Sequence, residues 1–163
     1  MTDLPALYRT DYAAWAKRHV ELLRDRRFND MDIEHLLEEL GDMSKSERRE
    51  LESRLLILIA HLLKWEYQYP LLSEQWREFD GRSWRATIVE QRKQLAVLLR
   101  QSPGLKSVLA QTILSAHPDA VDLASKETRL PPETFPAHCP YTAEQMLNDD
   151  FYPVSTETRH NHR

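Results

Sequence analysis

Residues 44–67, SKSERRELESRLLILIAHLLKWEY, decide the fold. The stretch contains no Gly or Pro and holds the densest aliphatic run in the chain. Leu51, Leu55, Leu58, Leu62 and Trp65 recur at spacings of four, three, four and three. That spacing marks one face of a helix, close to 3.5 residues per repeat. Leu56, Ile59, Leu63 and Tyr67 form a second apolar row beside the first. Two adjacent rows make an arc too wide for a surface helix, so the stretch is expected to be the central helix of a bundle. Ser44 and Glu47 have the spacing of a capping box, which would start the helix at Ser44.

Working towards the N-terminus, a short acidic helix is expected from Asn29–Asp32 to Leu40–Gly41. Met31, Ile33, Leu36, Leu37 and Leu40 are its apolar residues, and it contains no Lys or Arg. Gly41 suits the left-handed residue that ends a helix. The short join to Ser44 would then fold this helix antiparallel to the central one and bring Glu38 and Glu39 near Arg48 and Arg49. The acidic run (Asp30, Asp32, Glu34, Glu38, Glu39, Asp42) is ordinarily a solvated face, and a cation site is the sharper alternative. A first helix is expected from about Thr10 to Arg27, capped by Thr10 or Asp11, with Tyr12, Trp15, His19, Leu22 and Leu23 on one face. His19 in that seam reads as a hydrogen-bonded core residue rather than a ligand.

On the other side, Pro70 breaks the pattern. Leu71–Gly81 is amphipathic but short, with Trp76 and Phe79 expected to turn inward. Ser83 is expected to cap a helix from Trp84 to Gln101, whose seam Trp84, Ile88, Gln91, Leu95 and Leu98 is interrupted by one polar residue. Ser102–Pro103 restarts the chain in a helix reaching Thr128, with Pro118 kinking or breaking it near His117. The proline-punctuated remainder forms an arm, with a second capping box at Thr142–Gln145 opening a short helix to about Asn148. Phe135, Tyr141, Met146, Leu147, Phe151 and Tyr152 are expected to dock it. The expected architecture is therefore all-α, a single-domain helical bundle of about five main helices spanning residues 1–153. Residues 154–163 are expected to be a disordered polar tail.

Composition narrows the class. With 41% hydrophobic and 29% charged residues, the chain reads as an ordinary soluble globular protein. No run approaches the ~20 apolar residues of a membrane span, and the first ten residues lack the basic start and apolar core of a signal peptide. A single cysteine, Cys139, rules out an intramolecular disulfide framework and fits a cytoplasmic setting. A net charge of −4 argues against nucleic acid as partner.

Two local constellations are candidate sites. Glu50, Arg54, His61 and Trp65 fall on nearly one line along the edge of the central helix. They are either an acid–base patch or an ion pair beside a hydrogen-bonded histidine. Arg82, Ser83 and Arg85 surround a helix N-terminus, where free N–H groups attract anions. The alternative is that these arginines pair with the protein's own carboxylates. Phosphate-binding loops, nucleophile elbows, zinc motifs and Cys pairs are absent, so no cofactor or metal is expected. Asp32-x-x-His35 is one weak match to a di-iron bundle motif. His138–Cys139 reads as a packed thiol rather than a reactive one.

Several longer passages carry a family likeness. SERRELESRLLILIAHLLKWEYQ, together with DYAAWAKRHVELLR, RRFNDMDIEHLLEELGDMSKSERREL, SWRATIVEQRKQL, RQSPGL, ETRLPPETFP and CPYTAEQMLNDDFYP, resembles the bacterial family called domain of unknown function 29. The likeness runs in order over nearly the whole chain. Two departures are a His at position 19, where Gln is more usual, and a longer join from Gln68 to Ser83. The resemblance implies an all-helical intracellular domain and attaches no mechanism to named residues. The expected function is a non-enzymatic module, regulatory or antitoxin-like, that binds another protein. An enzyme or anion-binding protein using the His61 patch or the Arg82 corner is the alternative, and nucleic-acid binding through the basic helix at 84–101 is the weaker one.

Overall fold

The computed structural model describes residues 3–75 and 80–154. Seven α-helices account for most of them: α1 (Leu4–Thr10), α2 (Tyr12–Arg24), α3 (Ile33–Tyr67), α4 (Tyr69–Gln75), α5 (Arg82–Gln101), α6 (Leu109–Thr128) and α7 (Ala143–Leu147). Three 3-10 turns, Phe28–Asp30, Pro103–Val108 and Pro132–Thr134, join them. Among the described residues there is no strand, and no helix is long and apolar enough to cross a membrane. The all-α expectation holds. The contacts divide the chain into two units, residues 1–46 and 47–163.

The largest correction concerns α3. The acidic segment and the central stretch form one unbroken helix of 35 residues, not an antiparallel pair. Gly41 is an interior helical residue, and the Ser44–Glu47 box does not form. A glycine inside a helix costs about 1 kcal/mol relative to alanine. Ending a helix instead strands up to four carbonyls and four amides. With no proline nearby, one glycine does not outweigh that. Residues 41–50 are all exposed, so this part of α3 rests on its own backbone hydrogen bonds.

In the first unit, α1 was not anticipated. Asp3 caps it by accepting from the Ala6 amide at 3.3 Å, and Pro5 occupies its first turn. Asp11 caps α2 through the Ala14 amide at 3.0 Å, and α2 ends at Arg24, short of Arg27. Leu4, Trp15 and Leu22 form a small core, against which Leu7, Tyr8, Ala16, Met31 and Leu36 pack.

In the second unit, Leu51, Leu55, Leu58 and Leu62 are fully buried, as are Ile59 and Leu63 of the second row. They meet Ile88, Leu95, Leu98 and Leu99 of α5 and Leu109, Ile113, Ala116, Ala120 and Ala124 of α6 in one cluster. Pro118 does not break α6, which runs through it. The carbonyl that loses its partner belongs to Leu114, an exposed residue, so the loss falls on the solvent-facing side of the helix, where it costs least. Ser102 caps no helix. Its hydroxyl donates to Glu47 at 2.7 Å, and a 3-10 turn precedes α6. The arm docks as expected: Phe135, Tyr141 and Met146 are buried, and the Thr142–Gln145 box closes in both directions at 3.1 and 3.0 Å. Trp76, Phe79, His160 and His162 lie outside the described residues.

Candidate functional site

The line Glu50–Arg54–His61–Trp65 exists on α3, but its members look to different neighbours. Arg54 Nε donates to Glu50 at 3.4 Å, and its Nη1 donates to the buried Gln91 of α5 at 3.3 Å. Gln91, the polar break in the α5 seam, therefore ties α5 to α3. His61 Nδ1–H donates to the Ile57 carbonyl one turn back at 2.9 Å. No hydrogen bond joins His61 to Glu50 or Arg54. Burial lowers the His61 pKa, and the nearby Lys64 ammonium lowers it further, against the Ile57 carbonyl and Glu127. The ring is neutral at pH 7, with one nitrogen already committed. Trp65 stacks on Tyr69, ring centres 4.6 Å apart and planes within 3°.

The corner at α5 is closed by the protein itself. The helix begins at Arg82, two residues earlier than expected, and Ser83 is not its cap. Gly81 takes that position with φ 66°, and Asp80 Oδ1 accepts the Arg82 amide at 3.0 Å. Asp80 Oδ2 also pairs with the Arg82 guanidinium at 3.0 Å. One carboxylate thus supplies the anion that the helix end attracts. A Cβ on Gly81 would sit 2.7 Å from the Tyr69 ring, so glycine is required by space as well as by φ. Arg85 lies over the Tyr152 ring at 5.1 Å.

The residues that sequence reasoning missed are buried ions in the second unit. Lys64 is 6% exposed; its Nζ donates to Glu127 at 2.7 Å and sits 4.7 Å over the Trp84 ring. Glu66, 5% exposed, accepts from the Tyr141 hydroxyl at 2.7 Å. Burial and the Glu66 charge push the Tyr141 phenol far up, so it stays a donor. Arg92, 2% exposed, donates to four carbonyls of the arm: Met146 at 2.9 Å, Phe151 at 2.7 Å, Gln145 at 3.3 Å and Asp149 at 3.4 Å. Its guanidinium fork replaces the amides that α7 lacks at its C-terminal end. The basic face expected on α5 is thereby reduced, since Arg92 is internal. Burial pushes the Cys139 thiol up, which keeps it protonated and unreactive.

The first unit holds a second network. His19 Nδ1–H donates to the Trp15 carbonyl at 2.8 Å, while Nε2 accepts the Asp32 amide at 2.9 Å. Both bonds together require the neutral ring, so His19 is a structural bridge with no lone pair left for a metal. Asp32 Oδ2 accepts from His35 Nδ1 at 2.6 Å and from the Trp15 indole at 3.1 Å. Burial alone would raise the Asp32 pKa; these hydrogen bonds outweigh it and hold the carboxylate below its usual range. Asp32 and His35 thus bind each other. Glu39 does not pair with Arg48 or Arg49 but accepts from the Tyr12 and Tyr8 hydroxyls at 2.6 and 2.5 Å. Tyr8 in turn stacks on His35, ring centres 4.1 Å apart. Among the described residues no group of three His, Cys, Asp or Glu side chains is arranged to hold a metal ion.

These networks spend their polar atoms inward. On α3, by contrast, an apolar row faces outward. Ile33, Leu37, Leu40 and Met43 of α3 are 49, 66, 62 and 64% exposed. At about 100° per residue the first three share one line and Met43 flanks it. A family model described as "Domain of unknown function DUF29" matches residues 7–152. No curated protein and no solved structure matches the chain.

Proposed function

The chain belongs to the DUF29 family, whose definition carries no activity, and on that premise we propose that it is a non-enzymatic module that binds another protein. The observation that carries this reading is the uncovered row Ile33, Leu37, Leu40 and Met43. Single exposed aliphatic residues are normal on a surface, but four large ones on consecutive turns of one helix are a contact surface. An amphipathic helix presenting such a row docks against an apolar partner face, read at positions three and four apart. The acid–base alternative loses support because His61 makes no hydrogen bond to Glu50 or Arg54, so the residues on that line do not form one catalytic group. The anion alternative loses it from Asp80, which already occupies the α5 corner.

The test is capture from the native host. Tagged wild-type chain is expected to retain a partner in stoichiometric amount. Leu37→Glu with Leu40→Glu, both at exposed positions, should keep its helicity by circular dichroism and lose that partner. Equal retention by both chains removes the reading.

A further inference from the structure

The residues flanking the apolar row of α3 form a pattern that a single chain does not use. Glu34, Glu38, Gly41, Lys45 and Arg48 are spaced four, three, four and three, so they make one row along the same side of the helix. All five are exposed, and among the described residues none takes part in a salt bridge. Their charges are segregated: two acids, then glycine, then two bases. Glu34 and Glu38, one turn apart, repel each other, as do Lys45 and Arg48. Those two bases also sit far from the C-terminal end of α3, where a helix would favour them.

We infer that this segment of α3 is an interface with a second copy of the same chain, the two helices packed antiparallel about a two-fold axis near Leu40–Gly41. The inference rests on the interaction reading above and names its partner. A two-fold axis there sets each flank against its own reversed copy, because an isologous interface must be self-complementary. Glu34 then faces Arg48 of the other chain, and Glu38 faces Lys45. The opposite assignment holds across the axis, giving four attractive positions from one charge pattern. Parallel packing would instead align like with like. The apolar row fits the same register, with Leu40 near its own copy and Leu37 near Met43. Gly41 falls at the axis, and a Cβ built there has nothing within 4 Å, so the position is open to a partner. A residue without a side chain at that point allows close approach of two helices, which explains a glycine within an exposed helix. The row spans about 21 Å at 1.5 Å per residue.

The test uses the full chain and sedimentation velocity over a range of concentrations. Wild type is expected to pass from monomer to dimer as concentration rises, and more salt should weaken the dimer because the flanking pairs are exposed. Glu34→Lys with Glu38→Lys makes the row wholly basic, and Lys45→Glu with Arg48→Glu makes it wholly acidic. Each variant alone should associate at least about tenfold more weakly than wild type, the loss expected from exchanging several exposed attractions for repulsions. An equimolar mixture of the two variants should restore a dimer containing one of each. Circular dichroism keeps the comparison to folded chains. Wild type that stays monomeric at every concentration, variants that self-associate as strongly as wild type, or a mixture that fails to recover overturns the inference. If wild type stays monomeric yet loses a captured host partner through Leu37→Glu and Leu40→Glu, the homodimer falls while the broader interaction reading stands. Failure of both together removes both.

Discussion

The two halves of α3 put the same residue type to opposite uses. From Leu51 to Leu63 its leucines and isoleucines on the inner rows are sealed by α5 and α6, with 0% exposure at Leu51, Leu55, Leu58 and Leu62. From Ile33 to Met43 the row stands in water at 49 to 66% exposure. Helical spacing is satisfied in both halves, so spacing alone does not create a core. A core requires a second surface of matching phase, and α5 and α6 provide one for the later half. In the earlier half only Leu36 finds such a surface, against Leu4, Trp15 and Leu22, and the row from Ile33 to Met43 finds none in its own chain.

The strongest way to break that contrast is to truncate one leucine in each half. Leu58→Ala should destabilise the protein by about 3 kcal/mol in urea unfolding, through lost transfer energy and the cavity left behind. Leu40→Ala, at concentrations where the chain is monomeric, should change stability by less than about 0.5 kcal/mol. Equal losses at the two sites would show that the earlier half is covered after all.

A change of pH sharpens the same contrast with a smaller effect. Asp32 and Glu39 both have folded pKa values below their ordinary ones. At Asp32, burial opposes the shift and the His35 and Trp15 hydrogen bonds win; at Glu39, the Tyr12 and Tyr8 hydroxyls lead. A carboxylate with a depressed folded value adds stability that is complete above its unfolded value of about 4 and is lost as pH falls through the folded one. The first unit should therefore lose protection below about pH 4, while the amides of Leu55–Leu63 stay protected. Hydrogen exchange measured by mass spectrometry reads both together. Simultaneous loss would tie the two regions into one cooperative event.

A small effect of opposite sign is expected at Gly41. Gly41→Ala should stabilise the monomer by about 0.5 to 1 kcal/mol, because alanine is the better helix former and the added methyl meets nothing in its own chain. A destabilised monomer would mean that the helix is bent or strained there. Thermal unfolding at low concentration provides the measurement.

The sequence exposed the parts of this architecture that depend on neighbours in the chain. The four-three rows of α3, the Asp11 cap and the Thr142 box all depend on residues three or four apart, and all are present in the fold. Asp3 and Pro5 are a comparable local signal for α1. Gly41 misled because glycine marks helix ends only when a better continuation is lacking. Ser83 misled because Asp80 and Gly81 reached the amide first. Arg92 was illegible for a different reason. An arginine beside lysine reads as solvated until its acceptors are known, and those lie 53 to 59 residues further along. Glu39 likewise looks like a solvated acid until Tyr8 and Tyr12, 31 and 27 residues away, are placed beside it.

The guanidinium of Arg92 has a consequence for how the protein tolerates cutting. Its four acceptors all lie between Gln145 and Phe151, and Tyr141 adds a fifth tie through Glu66, so the attachment of this segment resides in side chains rather than in its covalent link. The exposed stretch at Pro132 and Glu133 could be severed and the released peptide would still carry the carbonyls that Arg92 binds and the Tyr141 hydroxyl that Glu66 binds. The two pieces should then reassemble as a complemented pair, which makes that stretch a natural place to split the protein for a reporter or to insert a tag.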